Sequence, residues 1–140
     1  MTNKSKQVSI KDWLTSFTLT LIYVLVLDII WIVTTAAPLY GARYGSLLDL
    51  KIPPAVGFYS LFAIGLHHFT ILGVRVLTRQ VIYDAGLFGL CVYGGYALTV
   101  LAVFNFYETS VACLEMLWGM SISIMVAAAV IKTKNAINNQ

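Results

Sequence analysis

Asp28 in "LVLDIIWIV" and Glu115 in "VACLEMLWG" are acids set inside runs otherwise fit for the interior of a lipid bilayer. A charge at mid-membrane depth costs roughly 2.5–3.5 kcal/mol on insertion scales, so each acid needs a partner or a proton. Two carboxylates that face each other could share a proton or hold a cation between them. Each could equally be a neutral, hydrogen-bonded structural acid. Donors for either arrangement recur in the same stretch of neighbouring helices: Tyr59, Tyr96 and Thr99, with Trp31 and Trp118 beside the acids.

These residues must be positioned by membrane-spanning elements. The chain is 59% hydrophobic and only 11% charged over its 140 residues, whereas a soluble domain carries about 25% charge. Four apolar runs, near residues 14–36, 54–76, 85–104 and 111–131, approach the ~20 residues that a helix needs to cross ~30 Å of hydrocarbon. Helices are expected because backbone groups in lipid must be satisfied within their own segment. No ~10-residue alternating segments suggest a β-barrel. Short connections around "LTRQVIYD" and "NFYETS" predict antiparallel neighbours, so the expectation is one all-α domain over residues 1–140, a four-helix antiparallel membrane bundle. The first run is too long for the core of a secretory signal and is read as a retained span. Ser9 with Asp12 suggests a capping box opening it.

Basic residues set the expected threading. Lys4, Lys6, Lys11, Arg75, Arg79, Lys132 and Lys134 fall on one side, and only Arg43 and Lys51 on the other. The positive-inside rule then places both termini in the cytoplasm, the expectation for a multi-pass membrane protein with four spans. The net charge of +3 needs no nucleic acid to explain it, because these cations flank the spans, where lipid headgroups suffice. Residues 37–53 are expected to form an outer loop broken by Pro38, Gly41 and Gly45, with "RYGSLLDL" lying on the membrane surface. Residues 135–140 are expected to be a disordered tail.

On this threading Asp28 lies roughly 12 Å below the outer end of its helix, and Glu115 roughly 6 Å below the end of the fourth. Asp28 is too short to reach the interface from there, whereas Glu115 could snorkel. Glu115, Gly119, Ser123 and Ala127 recur every four residues, a stripe that permits close approach of another helix. The third run is similarly rich in small residues. Such faces also offer a route to a homo-oligomer.

Other chemistry is thinly represented. His67 and His68 in "GLHHFT" are secondary candidates, expected at mid-membrane; as helical neighbours they point about 100° apart and cannot ligate one ion from a shared face. Cys91 and Cys113 are too far apart in depth for a disulfide and have no metal-ligand spacing. Hydrolase motifs such as G-x-S-x-G or H-E-x-x-H are absent, and no metal or cofactor is expected.

The segments "LDIIW", "PLYGARYGSLL", "PPAVGFY" followed by Gly65, "AGLFGLCVYGGYALT" and "EMLWG" occur in that order. Their order and spacing resemble a bacterial family of small four-helix inner-membrane proteins catalogued as domain of unknown function 2177, over roughly Leu27 to Ala128. The resemblance implies an Asp and a Trp in the first helix, matching Asp28 and Trp31, and a Pro with aromatics opening the second, matching Pro54, Phe58 and Tyr59. It implies an acid before Trp-Gly in the fourth, here Glu115 before Trp118 and Gly119, with Glu in place of the usual Asp. The third helix of that family reads Tyr-Asp-Leu-Thr-Asn, whereas this chain has Tyr96-Ala97-Leu98-Thr99-Val100. An activity that needs a third acid is therefore not implied here.

Three function classes follow. The first is a small transporter or channel-like subunit that uses the Asp28/Glu115 layer. The second is a non-catalytic accessory or assembly protein of membrane-lipid or envelope physiology. The third is a lipid-modifying enzyme with one of the acids as acid-base; it is the weakest, because no nucleophile, metal set or cofactor motif accompanies them, and no catalytic residue is assigned.

Overall fold

The computed structural model describes residues 9–45, 49 and 51–138. Lys4, Lys6 and half of the expected surface turn "RYGSLLDL" (residues 46–48 and 50) lie outside the described residues. Among the described residues every regular element is helical.

Helix α1 (Ile10–Trp31) opens with a bond from the Trp13 N–H to the Ser9 carbonyl at 2.9 Å, and Ser9 makes no side-chain cap. The expected capping box is therefore not formed. Asp12 is engaged elsewhere: Lys134 Nζ lies 3.4 Å from its Oδ2. Beyond Trp31 the helix does not stop. It widens into a π turn (Ile32–Ala36) and continues as α2 (Ala37–Tyr44). Pro38 lacks the N–H that would bond the Thr34 carbonyl, and a π turn just before it absorbs that missing bond. The expected loop over residues 37–53 is thus helical as far as Tyr44, and Pro38 and Gly41 do not break it.

Helix α3 (Ile52–Leu66) begins with prolines in its first turn, where their missing N–H groups are not needed. It passes into a second π turn (His67–Ile71), closed by the Leu72 N–H on the His67 carbonyl at 2.8 Å. Gly73 then adopts φ 77°, a left-handed value that ends the helix. Helix α4 (Arg79–Val103) is capped by Thr78, whose hydroxyl accepts from the Val81 N–H at 3.3 Å. It therefore starts six residues before the expected Ala85, and "RQVIYD" is helix. Helix α5 (Thr109–Asn138) extends well past the expected Ile131, taking in part of the expected tail.

Three of these segments are long and apolar enough to cross a membrane: Ile10–Tyr44, Arg79–Val103 and Thr109–Ile137. Helix α3, with 15 residues, is not among them.

Helix α5 packs against α4 and α1, and α1 packs against α3. The Lys134–Asp12 pair brings the start of α1 and the end of α5 to one end of the bundle, here the terminal end. The α4–α5 connection marks the opposite, turn end. At the centre, Val24, Phe62, Leu66, Ile71, Ile122 and Val126 are almost completely buried. The α4–α5 contact is close because glycines form it: a Cβ placed on Gly89 would fall 1.9 Å from the Gly119 carbonyl oxygen. Glu115, Gly119, Ser123 and Ala127 are all buried. This small-residue face of α5 is occupied by α4 within the chain. The exterior carries apolar side chains such as Ile29, Val33, Leu61, Phe69, Leu87 and Leu117, as lipid contact demands.

Candidate functional site

Helix α1 buries one residue per turn along a single face: Ser16, Thr20, Val24 and Asp28. The four-residue spacing keeps Asp28 on the side that faces α3 and α5. Its carboxylate accepts from two donors on those helices. Tyr59 of α3 bonds Oδ2, and the Trp118 indole of α5 donates to Oδ1 at 2.8 Å. Asp28 thereby ties three helices together, and it is 5% exposed.

Glu115, one turn from Trp118 on α5, is buried as well. Its Oε1 accepts from the Tyr40 hydroxyl. Tyr40 reaches it because the first helix runs on through its π turn into α2 rather than ending at Ala36. The turn end is fastened by further contacts of α2. Arg43 pairs with Glu108 at 3.0 Å, and the Glu108 N–H donates to the Tyr44 hydroxyl at 3.2 Å. Tyr44 also stacks on Tyr107. Burial pushes the Tyr107 phenol above its usual range, so it stays protonated. Among the described residues its hydroxyl is a buried side-chain oxygen with no hydrogen-bond partner.

Both carboxylates line one cavity of about 270 Å³, together with Trp31, Ile32, Ala36, Tyr40, Phe58, Tyr93, Tyr96 and Trp118. Trp31 and Trp118 stack face to face on one wall, with centroids 4.4 Å apart and planes within 6°. No lysine, arginine or histidine is among the lining residues. Below the acids, toward the terminal end, the buried core around Val24 and Phe62 fills the bundle.

The residues singled out in the sequence are distributed as follows. Asp28, Glu115, Trp31, Tyr96 and Trp118 line the cavity, and Tyr59 supports it through Asp28. Thr99 does not belong to it: the side chain is exposed and donates to the Gly95 carbonyl of its own helix at 2.5 Å. The histidines are not at mid-bundle. They occupy the second π turn near the terminal end, because the helix ends at Ile71 and not at Val76. His67 is buried, with Nε2 2.8 Å from the Ser16 hydroxyl and its ring edge-on to Trp13 and Phe17. His68 is exposed beside Phe69. Both cysteines are free. Among the described residues no group of three His, Cys, Asp or Glu side chains could hold a metal ion. Ala97, where the third acid of the resemblance would fall, is buried in the cluster with Tyr107 and Val111.

The cavity residues that sequence reasoning missed are the aromatic Tyr40, Phe58 and Tyr93 and the aliphatic Ile32 and Ala36. Phe58 had a signal in the aromatic opening of α3. Tyr40 was concealed by neighbouring Pro38 and Gly41.

Apolar helices long enough to cross a bilayer, with acids turned inward, define a helical-bundle membrane protein. The family described as "Predicted membrane protein (DUF2177)" matches residues 13–132, and the chain belongs to it. No curated protein and no solved structure matches the chain.

Proposed function

We propose that this is a single-domain, multi-pass protein of the bacterial inner membrane that crosses four times, with both termini cytoplasmic, and that it binds a cation in the Asp28/Glu115 cavity as a small transporter subunit. Three spans have the composition for crossing. The fourth, α3 with its π turn, has 15 and 5 residues and reaches about 30 Å at 1.5 Å per residue, enough to cross. The pairing of Lys134 with Asp12 supports a common side for the two chain ends, and the basic residues favour the cytoplasm for it.

One observation carries the functional reading. Asp28 and Glu115, 87 positions apart in the chain, are both buried on one cavity whose lining offers no basic side chain. Such acids inside a membrane are expensive and mark ion or substrate sites more often than they serve packing alone. The filled core toward the terminal end favours a carrier that changes shape over an open channel.

The test is reconstitution into liposomes loaded with pH- and ion-sensitive dyes. Cation-dependent flux in the wild type, lost in both D28N and E115Q, is the expected result. Absence of flux from the folded wild type would overturn the transport reading. It would leave the accessory-protein reading, which the three-helix tie at Asp28 also supports.

A further inference from the structure

We infer that the ligand of this cavity is a small organic ammonium ion bearing apolar groups, with its nitrogen at Glu115 and its apolar part against the Trp31–Trp118 wall. The inference rests on the cation-binding reading above and adds the chemical class.

The two acids are not equivalent. Both oxygens of Asp28 are engaged, Oδ1 by Trp118 and Oδ2 by Tyr59. Glu115 receives one bond, from Tyr40 on Oε1, and no described residue bonds Oε2. Oε2 is not among the oxygens sealed off without a partner, so on a residue that lines the cavity it is the carboxylate oxygen that a positive charge can approach without displacing a protein donor. The rest of the lining selects which cation. Six of the ten lining residues are aromatic: Trp31, Tyr40, Phe58, Tyr93, Tyr96 and Trp118. Aromatic faces attract ammonium groups through the negative charge of the ring face, most strongly where water is excluded. A Ca²⁺ ion would instead seek six to eight oxygen ligands and a Mg²⁺ ion would keep several of its waters, and a lining that is mostly aromatic matches neither.

Size and access agree with this choice. A volume of about 270 Å³ exceeds the ~150 Å³ that suffices for a benzene molecule, which leaves room for a ring or branched alkyl group beside the charged nitrogen. The exposed members of the lining are Ile32, Phe58 and Tyr96, at 38%, 37% and 49%. They lie on the first π turn, α3 and α4, within the stretches assigned to the bilayer, so the mouth is flanked by apolar and aromatic surface. The turn end beside it is fastened by Arg43–Glu108 and Tyr44. A ligand reaching the cavity through such a mouth passes hydrocarbon, which a hydrated inorganic ion does not.

Phenyltrimethylammonium is a suitable probe, with uncharged tert-butylbenzene as its isostere and Na⁺, K⁺ and Mg²⁺ as inorganic comparisons. Trp13 lies at the terminal end against His67, so in W13F protein in nanodiscs the remaining indole fluorescence comes from Trp31 and Trp118 in the cavity. Calorimetry on the wild type gives the same affinity without a substitution. The expected result is a saturable signal with phenyltrimethylammonium that is at least tenfold weaker in E115Q, a change that keeps the acceptor for Tyr40. The neutral isostere should bind at least tenfold more weakly than the cation. Equal binding of the isostere, or unchanged affinity in E115Q, overturns the inference. If inorganic cations bind and phenyltrimethylammonium does not, the organic class falls while the cation reading stands. If no cation binds and liposomes show no flux, both readings fall.

Discussion

Gly89 of α4 and Gly119 of α5 meet with no space between their backbones: a Cβ on Gly89 would lie 1.9 Å from the Gly119 carbonyl oxygen and 2.3 Å from the Ser123 hydroxyl. The obstacle is backbone, which cannot swing aside as a flexible side chain would. Gly89→Ala should therefore push the two helices apart and lower stability by about 1–3 kcal/mol or more. Gly95, two turns along the same helix, has nothing within 4 Å of its Cβ position. Gly95→Ala should leave the melting temperature in detergent unchanged or slightly raised, since alanine is the better helix former. Equal melting of the two variants would contradict the close α4–α5 packing.

The two ion pairs should differ sharply in weight. Lys134 is nearly buried, at 5% of its side-chain surface, and Asp12 is 29% exposed. Asp12→Ala leaves a buried ammonium without its partner. The loss should reach about 1–3 kcal/mol, reduced from the fully buried case because Asp12 is partly wet. Arg43 and Glu108 are 36% and 47% exposed, so Arg43→Ala should cost under about 1 kcal/mol and less still in high salt. Thermal melts of both variants at low and high salt distinguish the two; a salt-insensitive, large effect at Arg43 would contradict this ranking.

Asp28 was legible in the sequence because its position follows from counting along one long apolar run. Its inward direction then follows from the cost of a charge facing lipid. Thr99 was misjudged for a related reason. Helix α4 is apolar or small nearly all round, so hydropathy does not reveal which face turns inward, and a threonine can satisfy itself on its own backbone. Tyr40 was hidden by residue types that ordinarily end helices. Pro38 and Gly41 are tolerated because the π turn before them relieves the missing N–H, and no local pattern announces a π turn. The histidines were expected in the middle of a longer span, but the helix stops at Ile71, with Gly73 as the left-handed residue after it, so they fall in its last turn. The all-helical class was legible; which faces meet depends on packing between distant segments.

The Tyr40–Glu115 bond makes a direct prediction about the continued helix. Tyr40→Phe removes the donor and leaves Glu115 with no partner among the described residues. A double-mutant cycle of Y40F with E115L, read by melting in detergent, should give a coupling of at least about 0.5 kcal/mol. Additive effects would show that α2 does not reach α5 in solution.

Asp28 offers the sharpest test of the bundle, because its two donors come from two other helices. Asp28→Asn keeps an acceptor oxygen, so one of the Tyr59 and Trp118 bonds survives and the fold should be retained. Asp28→Leu removes both acceptors and leaves a phenol and an indole N–H without partners in a buried setting. The expected loss is about 1–3 kcal/mol. Replacing the donors singly discriminates further. Trp118→Phe loses the bond and part of the Trp31 stack, whereas Tyr59→Phe loses the bond alone, so the first should melt lower than the second. If Asp28→Leu instead melts at or above wild type, the carboxyl faces lipid in solution, and the site that joins α1, α3 and α5 does not form.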